Sequence, residues 1–276
     1  MSGIFLPLSA IPDTPVWKNV RQIKFKPGLS RLIYNYNNES LNTADSVSYD
    51  FLLILNTDLV DLADEKHEKR NVRKENIRNQ TAAALKTLKG QGFTSLSISD
   101  KFEEDIFAVT EGAILSTWDY KASERAKYPK ITNGDPKAVI RASAQNFARE
   151  MTEMPANLCS PSGFVKILKS RLDELQLKNV EIFDRNVDWI KQHRMDLFLS
   201  VSKATLETAP PVFLEVHINK SSESPKICWV GKGVTFDAGG NTMKQHPEIR
   251  GMRMDMGGTA CTGWFCKNVT DMFEND

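Results

Sequence analysis

The chain has 276 residues, of which 41% are hydrophobic and 26% charged, and its formal net charge is +1. That balance suits a globular protein long enough for two modest domains with buried cores. A nearly neutral chain has no overall field to draw in nucleic acid or an anionic membrane, so neither is expected as a partner.

The opening MSGIFLPLSAIPDTP carries a short apolar patch broken by Pro7 and Pro12, with no basic residue before Lys18. It lacks the charged start of a secretory or transit peptide. The apolar run at 51–55 is far too short to span a bilayer. Four cysteines, Cys159, Cys228, Cys261 and Cys266, show no CxxC spacing and read as reduced thiols. A cytoplasmic location is expected.

Residues 51–56 (FLLILN) read as a buried strand, apolar on both faces. The charged stretch 61–75 reads as a solvated loop or helix start. Ile77, Thr81, Ala84, Leu85 and Leu88 recur at helical spacing, with Gly90 and Gly92 closing the helix. Residues 94–98 alternate as a strand, and 104–118 read as a helix with Phe107, Thr110, Ala113, Ile114 and Trp118 along one side. This alternation of strand and helix predicts an α/β layer.

Two prolines, Asn133 and Gly134 cluster within 128–137 (YPKITNGDPK), which reads as a connecting segment. The predicted domains are 1–132 and 133–276. Beyond the connection, Ile140, Ala144, Phe147, Ala148 and Met151 mark one apolar helical face. Ser160 and Pro161 supply an N-cap and a first-turn proline for a helix that buries Phe164, Leu168, Leu172 and Leu175. Val180 and Ile182 suggest a strand, and 187–195 a short helix. Val212, Leu214, Val216 and Ile218 alternate along a half-buried strand. Residues 227–230 read as a buried strand leading into Gly231-Lys232-Gly233.

The segment 230–258 holds two isolated aspartates and two glycine pairs just beyond that strand. Open α/β sheets bind ligands outside the carboxyl ends of their strands, so the position suits a site. Asp237 and Asp255 are hard oxygen donors of the type that hold Mn²⁺, Mg²⁺ or catalytic Zn²⁺. Two-metal hydrolases hold ions about 3.5–4 Å apart with several such ligands. A glycine-rich strand-to-loop turn with an aspartate also serves purely structural ends. A nucleotide-binding module fits the layout too, but GxxxxGK[ST], HExxH and GxSxG are all absent. Spacing suggests a site without naming it.

VGKGVTFD at 230–237, Gly239-Gly240, Lys244, Met252-Arg253 and DMGG at 255–258 together resemble the first active-site motif of the leucyl aminopeptidases, the M17 metallopeptidases. Weaker similarity extends upstream through 210–218 (PPVFLEVHI), 198–203 (FLSVSK), 145–150 (QNFARE), 154–157 (MPAN), 111–113 (EGA) and 74–78 (KENIR).

The resemblance implies a two-domain α/β protein: an N-terminal α/β domain followed by a metallopeptidase α/β catalytic domain. It implies hydrolysis of N-terminal leucine or other apolar residues from peptides, with two divalent ions, Mn²⁺ or Zn²⁺. Lys232, Asp237 and Asp255 match metal ligands of the family. Lys244 matches the lysine that polarises the scissile carbonyl. Met252 matches a residue lining the pocket for the first side chain. An amine ligates a metal only when neutral, so Lys232 would have to bind without its proton. Family members assemble as hexamers, which makes a homo-oligomer or association with full-length relatives the expected assembly.

The family completes its site with a second motif, Asn-Thr-Asp-Ala-Glu-Gly-Arg, which this sequence does not contain. Similarity is expected to end after Cys261. The chain is therefore expected to be truncated within an incomplete catalytic domain, to hold at most one ion weakly, and to be inactive alone. The alternative is a non-catalytic structural or regulatory subunit. Ala238, Asn241, Met243 and Met254 depart from the family pattern. His246 reads as a solvent-facing loop residue, and Cys261, Cys266, Trp264 and Phe265 as non-ligating.

Overall fold

A computed structural model describes residues 2–11, 30–34, 50–57, 71–120, 128–174, 180–218, 227–241 and 243–263. The chain forms two compact units, Met1–Ser143 and Ala144–Asp276. No helix among the described residues is long and apolar enough to cross a membrane.

The first unit is built on a five-stranded sheet: β1 (Ser2–Pro7), β2 (Ser30–Tyr34), β3 (Phe51–Leu55), β4 (Ser95–Ile98) and β5 (Lys130–Thr132), in the order β2-β3-β1-β4-β5. β1 runs parallel to β3 and β4, β4 runs parallel to β5, and β2 closes one edge antiparallel to β3. Central parallel strands are covered on both faces, and FLLIL is accordingly buried at every position. Phe5, Phe51, Leu53 and Leu55 pack on one side with Ile77, Leu85 and Val109, whereas Ile4, Leu6, Leu52 and Ile54 pack on the other with Ile11. Gly3 allows the pairing of β1 and β3, because a Cβ there would lie 2.2 Å from the Phe51 ring.

Two helices cover one side of this sheet. Helix α1 (Val72–Lys86) is capped by the Asn71 side chain, which accepts from the Lys74 backbone N–H at 3.0 Å, and buries Ile77, Thr81, Ala84 and Leu85 as the spacing predicts. Gly90 and Gly92, both with φ of 75°, follow its end. Helix α2 (Ile106–Ser116) begins after a short 3-10 turn, Asp100–Asp105. Its buried face differs from the predicted one. Thr110 and Ala113 are buried, but so are Val109, Glu111 and Gly112, while Phe107, Ile114 and Trp118 are only partly covered. The helix is pressed against α1, and Gly112 sits where a Cβ would meet the Arg78 carbonyl oxygen at 2.5 Å. Glu111 is enclosed with Arg78 and Arg141 as partners (2.5 and 3.0 Å).

The stretch 128–137 carries edge strand β5 and the start of helix α3 (Pro136–Glu153) rather than a free connection. Asn133 donates to the Ser97 hydroxyl at 2.9 Å, and Asp135 accepts from the Ala138 backbone N–H at 2.8 Å. These bonds tie the turn down, which composition alone could not disclose.

The second unit packs the later part of α3 against α4 (Pro161–Asp173), with Phe147, Met151, Cys159, Phe164, Leu168 and Leu172 in one core. Ser160 accepts from the Gly163 backbone N–H at 3.2 Å, and Pro161 opens the helix, as expected. Strands β6 (Val180–Arg185) and β7 (Phe213–Ile218) form an antiparallel pair that turns Ile182, Leu214 and Val216 to that core. Between them lie α5 (Val187–Gln192) and α6 (Asp196–Ser202). Leu175 lies outside the described residues, as do the stretch 61–70, Trp264, Phe265 and Cys266.

Residues 227–230 correct the sequence reading. They take no strand assignment, and Ile227, Trp229 and Val230 are 79%, 57% and 90% exposed. A strand is defined by a partner on its edge, and no described segment pairs with this one. Its apolar residues therefore face outward.

Candidate metal-binding loop

Residues 231–233 lie against helix α8, residues 257–263. Two bonds fix the register: the Thr259 backbone N–H donates to the Lys232 carbonyl at 2.8 Å, and the Thr259 hydroxyl donates to the Gly231 carbonyl at 2.9 Å. The approach is possible because both sides lack a Cβ. One added at Gly258 would lie 2.7 Å from the Lys232 backbone nitrogen, and one at Gly231 would lie 2.5 Å from the Gly258 carbonyl. Gly258 thus brings two stretches of this chain's own backbone together. Met256 and Ala260 anchor α8 by their burial in the second core.

The chain then turns through Gly239 and Gly240, with φ of 77° and 102°. Left-handed geometry of this kind favours glycine. The Lys244 backbone N–H closes the turn on the Ala238 carbonyl at 3.1 Å. A short helix α7 (Glu248–Gly251) and a 3-10 turn (Met252–Met254) lead to Asp255. His246 is exposed, as expected for a loop residue.

The five residues singled out in the sequence fall into two ion pairs and one contact. Lys232 Nζ lies 3.1 Å from Asp255 Oδ1. Lys244 Nζ lies 2.6 Å from Asp237 Oδ2 and also donates to Met252 Sδ at 3.0 Å. Asp237 Oδ1 accepts from the Gly239 backbone N–H at 2.8 Å. The hydrogen bond from Lys244 holds the Asp237 carboxyl below the usual carboxylate range, helped by the Gly239 N–H and, more weakly, by the charge of Lys232.

The donor chemistry fits a hard cation. Asp255 Oδ2 is buried and has no hydrogen-bond partner among the described residues. An orphaned carboxylate oxygen is costly unless something positive or hydrogen-bonding satisfies it. Asp255, Asp237 and a neutral Lys232 amine are the groups that could hold a divalent ion here, displacing the Lys232–Asp255 ammonium contact. Among the described residues no three His, Cys, Asp or Glu side chains cluster as a metal site, this loop included, which supplies two carboxylates and a lysine. Cys228 and Cys261 are exposed and Cys159 is buried, all as free thiols.

Sequence spacing missed one connection of the loop. Arg253 pairs with Glu153 at the end of α3, across a large sequence separation that no local pattern reveals.

Both the sequence and the fold have known relatives. Residues 146–273 match the catalytic domain of the cytosol aminopeptidase family. The match runs past Cys261, so the expected end of similarity there is wrong; α8 and the residues beyond it up to 273 remain within the family pattern. The cytosol aminopeptidase of Xenopus tropicalis is 35% identical over 216 residues, covering 74% of this chain and 40% of that protein. The human cytosol aminopeptidase is 36% identical over 198 residues, covering 68% and 37%. The chain thus spans about two fifths of the length of the curated relatives it matches. Among solved structures, the leucyl aminopeptidase of Trypanosoma cruzi superimposes with a TM-score of 0.66 at 18% identity, over 98% of this chain and 55% of that one. The bottromycin maturation enzyme BotP in complex with Mn gives a TM-score of 0.66 at 17% identity, over 98% and 56%. These likenesses establish the α/β fold over almost the whole chain. By sequence, the chain belongs to the cytosol aminopeptidase family, with residues 146–273 matching its catalytic domain.

Proposed function

We propose that this chain carries one half of a metal-dependent aminopeptidase site, with Lys232, Asp237 and Asp255 as metal ligands and Lys244 as the catalytic cation. The observation that carries the reading is the pairing of these four residues within the family segment, with Asp255 Oδ2 left buried and unpartnered. The parent reaction is hydrolysis of N-terminal leucine or another apolar residue from peptides. Residues 1–132 form its N-terminal domain and 133–276 the first part of its catalytic domain. The relatives' names support a cytoplasmic location.

The Lys244 ammonium is a fixed donor that would face the carbonyl oxygen as negative charge develops there, which is where a preorganised cation contributes most. Its contact with Met252 Sδ sets it beside the residue proposed to line the first side-chain pocket. Asp237 Oδ2 holds the same ammonium by a second hydrogen bond. A bound divalent ion, Mn²⁺ or Zn²⁺, supplies Lewis-acid activation of the carbonyl and of water.

Two carboxylates and one amine are too few for two ions. The 276-residue polypeptide by itself is therefore expected to hold at most one ion weakly, and to release no leucine from leucine amide in the presence of Mn²⁺. The check is a leucine amide assay on the purified chain, free of any relative. Metal-dependent turnover there would overturn the half-site reading.

The exposed apolar residues Ile227, Trp229 and Val230 favour a second reading, a non-catalytic subunit that docks on full-length relatives. Co-purification with an intact family member separates the two.

A further inference from the structure

We infer that Glu153 and Arg253 form a positioning clamp that holds the turn bearing Met252 and Asp255; only its metal readout rests on the half-site reading above. The turn Met252–Met254 has no side-chain hydrogen bond at its cap, and its own closure is one backbone bond from the Asp255 N–H to the Met252 carbonyl at 3.2 Å. Arg253 is what fastens it. One arm of the guanidinium reaches Glu153 Oε2, and the other donates to the Arg250 carbonyl at 3.3 Å. On the far side of Asp255, Met256 is buried in the core that also holds Phe147 and Met151 of the helix that ends at Glu153. Asp255 is thus held between two anchors, Glu153 at the end of α3 and the core of the second unit.

The placement of Glu153 is telling. It occupies the last residue of α3, where the negative end of the helix dipole disfavours an acidic side chain. No basic residue lies in that turn to offset it. A partner outside the helix, Arg253, fills the need. Both side chains are part-exposed, so the pair adds little to global stability. Its effect is local. The same turn presents Asp255 to Lys232 and Met252 to Lys244, so any slack in it displaces the Lys232–Asp255 ion pair and the Lys244–Met252 contact together.

Neither residue touches the proposed metal or substrate; both are positioning residues. The test uses the full 276-residue chain. Amide hydrogen exchange over 250–260 in the absence of metal reads the ordering, and Mn²⁺ titration of the same samples reads its consequence. Glu153→Gln and Arg253→Met are each expected to speed exchange at 253–256 about tenfold and to weaken Mn²⁺ binding about tenfold or more, as loss of a ligand-orienting contact does. The charge-swapped double variant, Glu153→Arg with Arg253→Glu, is expected to restore both. Lys169→Ala, which breaks the exposed pair with Asp184, is the control and leaves both unchanged. Wild-type exchange at 253–256 in the single variants overturns the clamp. So does protection lost evenly across the second unit, which would mark a general stability role. If the wild-type chain takes up no Mn²⁺, the half-site reading fails, while the exchange data still decide the clamp.

Discussion

Arg78→Ala is expected to destabilise the first unit by about 3 kcal/mol, near the low end for removing one partner of a buried ion pair. Glu111 is 1% exposed. Arg78 donates to Glu111 Oε2 through Nε at 2.8 Å and Nη2 at 2.5 Å, and Arg141 Nε lies 3.0 Å from the other oxygen. Removing Arg78 leaves a carboxylate enclosed between helices with one cation on one oxygen. The desolvation cost of that charge is then poorly offset. Because Arg141 remains, the loss falls short of the full range. Replacing both partners, Arg78→Met with Glu111→Leu, is expected to recover most of the stability, because no buried charge is left behind. Urea unfolding with an unchanged slope is the measurement. A shift below about 1 kcal/mol for Arg78→Ala would place Glu111 in a wetter setting than the structure gives it.

Gly258→Ala has the second large effect, and it falls on the site. The added Cβ would lie 2.7 Å from the Lys232 backbone nitrogen and 3.2 Å from its carbonyl oxygen. Both are main-chain atoms held by the Thr259 bond, so no side chain can swing away. Overpacking of this kind costs about 1–3 kcal/mol. The strain is relieved only by parting residues 231–233 from α8, which separates Lys232 from Asp255. Gly251→Ala is the matched control, since a Cβ there meets nothing within 4 Å and its φ of −75° suits any residue. The expected result is a lowered urea midpoint and weaker Mn²⁺ binding for Gly258→Ala, with Gly251→Ala close to wild type. Equal behaviour of the two would mean that the loop and α8 are not in this register.

What could be read from the sequence was what local chemistry decides. The strand at 51–55, the helix carrying Ile77 to Leu85, and the Ser160-Pro161 start of α4 each arise from a short pattern with one physical cause. The failures share a different cause. Residues 227–230 look like a buried strand because they are apolar, but burial is set by what packs over a segment, which is not a local property. The face of α2 was misplaced because Glu111 is charged, and its burial depends on Arg78, 33 positions away. The KENIR and EGA segments, 74–78 and 111–113, carry only weak similarity in the sequence. In the structure they meet: Arg78 holds Glu111, and Gly112 makes room for the Arg78 backbone.

The candidate site was legible in outline. Lys232, Asp237, Lys244, Met252 and Asp255 are brought into two ion pairs and a sulfur contact. Which lysine meets which aspartate could not be read from spacing, because it depends on the turn at Gly239-Gly240 and on the seating of α8. The link from Arg253 to Glu153 was invisible for the same reason.

The central claim is that these residues form the metal-binding half of an aminopeptidase site. Calorimetric titration of the purified chain with Mn²⁺, set beside Asp255→Asn, tests it most directly. The account predicts weak uptake of no more than one ion by the wild-type chain and none by the variant, because the orphaned Asp255 oxygen is the donor awaiting a cation. Equal uptake by both proteins, or none by the wild type, would contradict it.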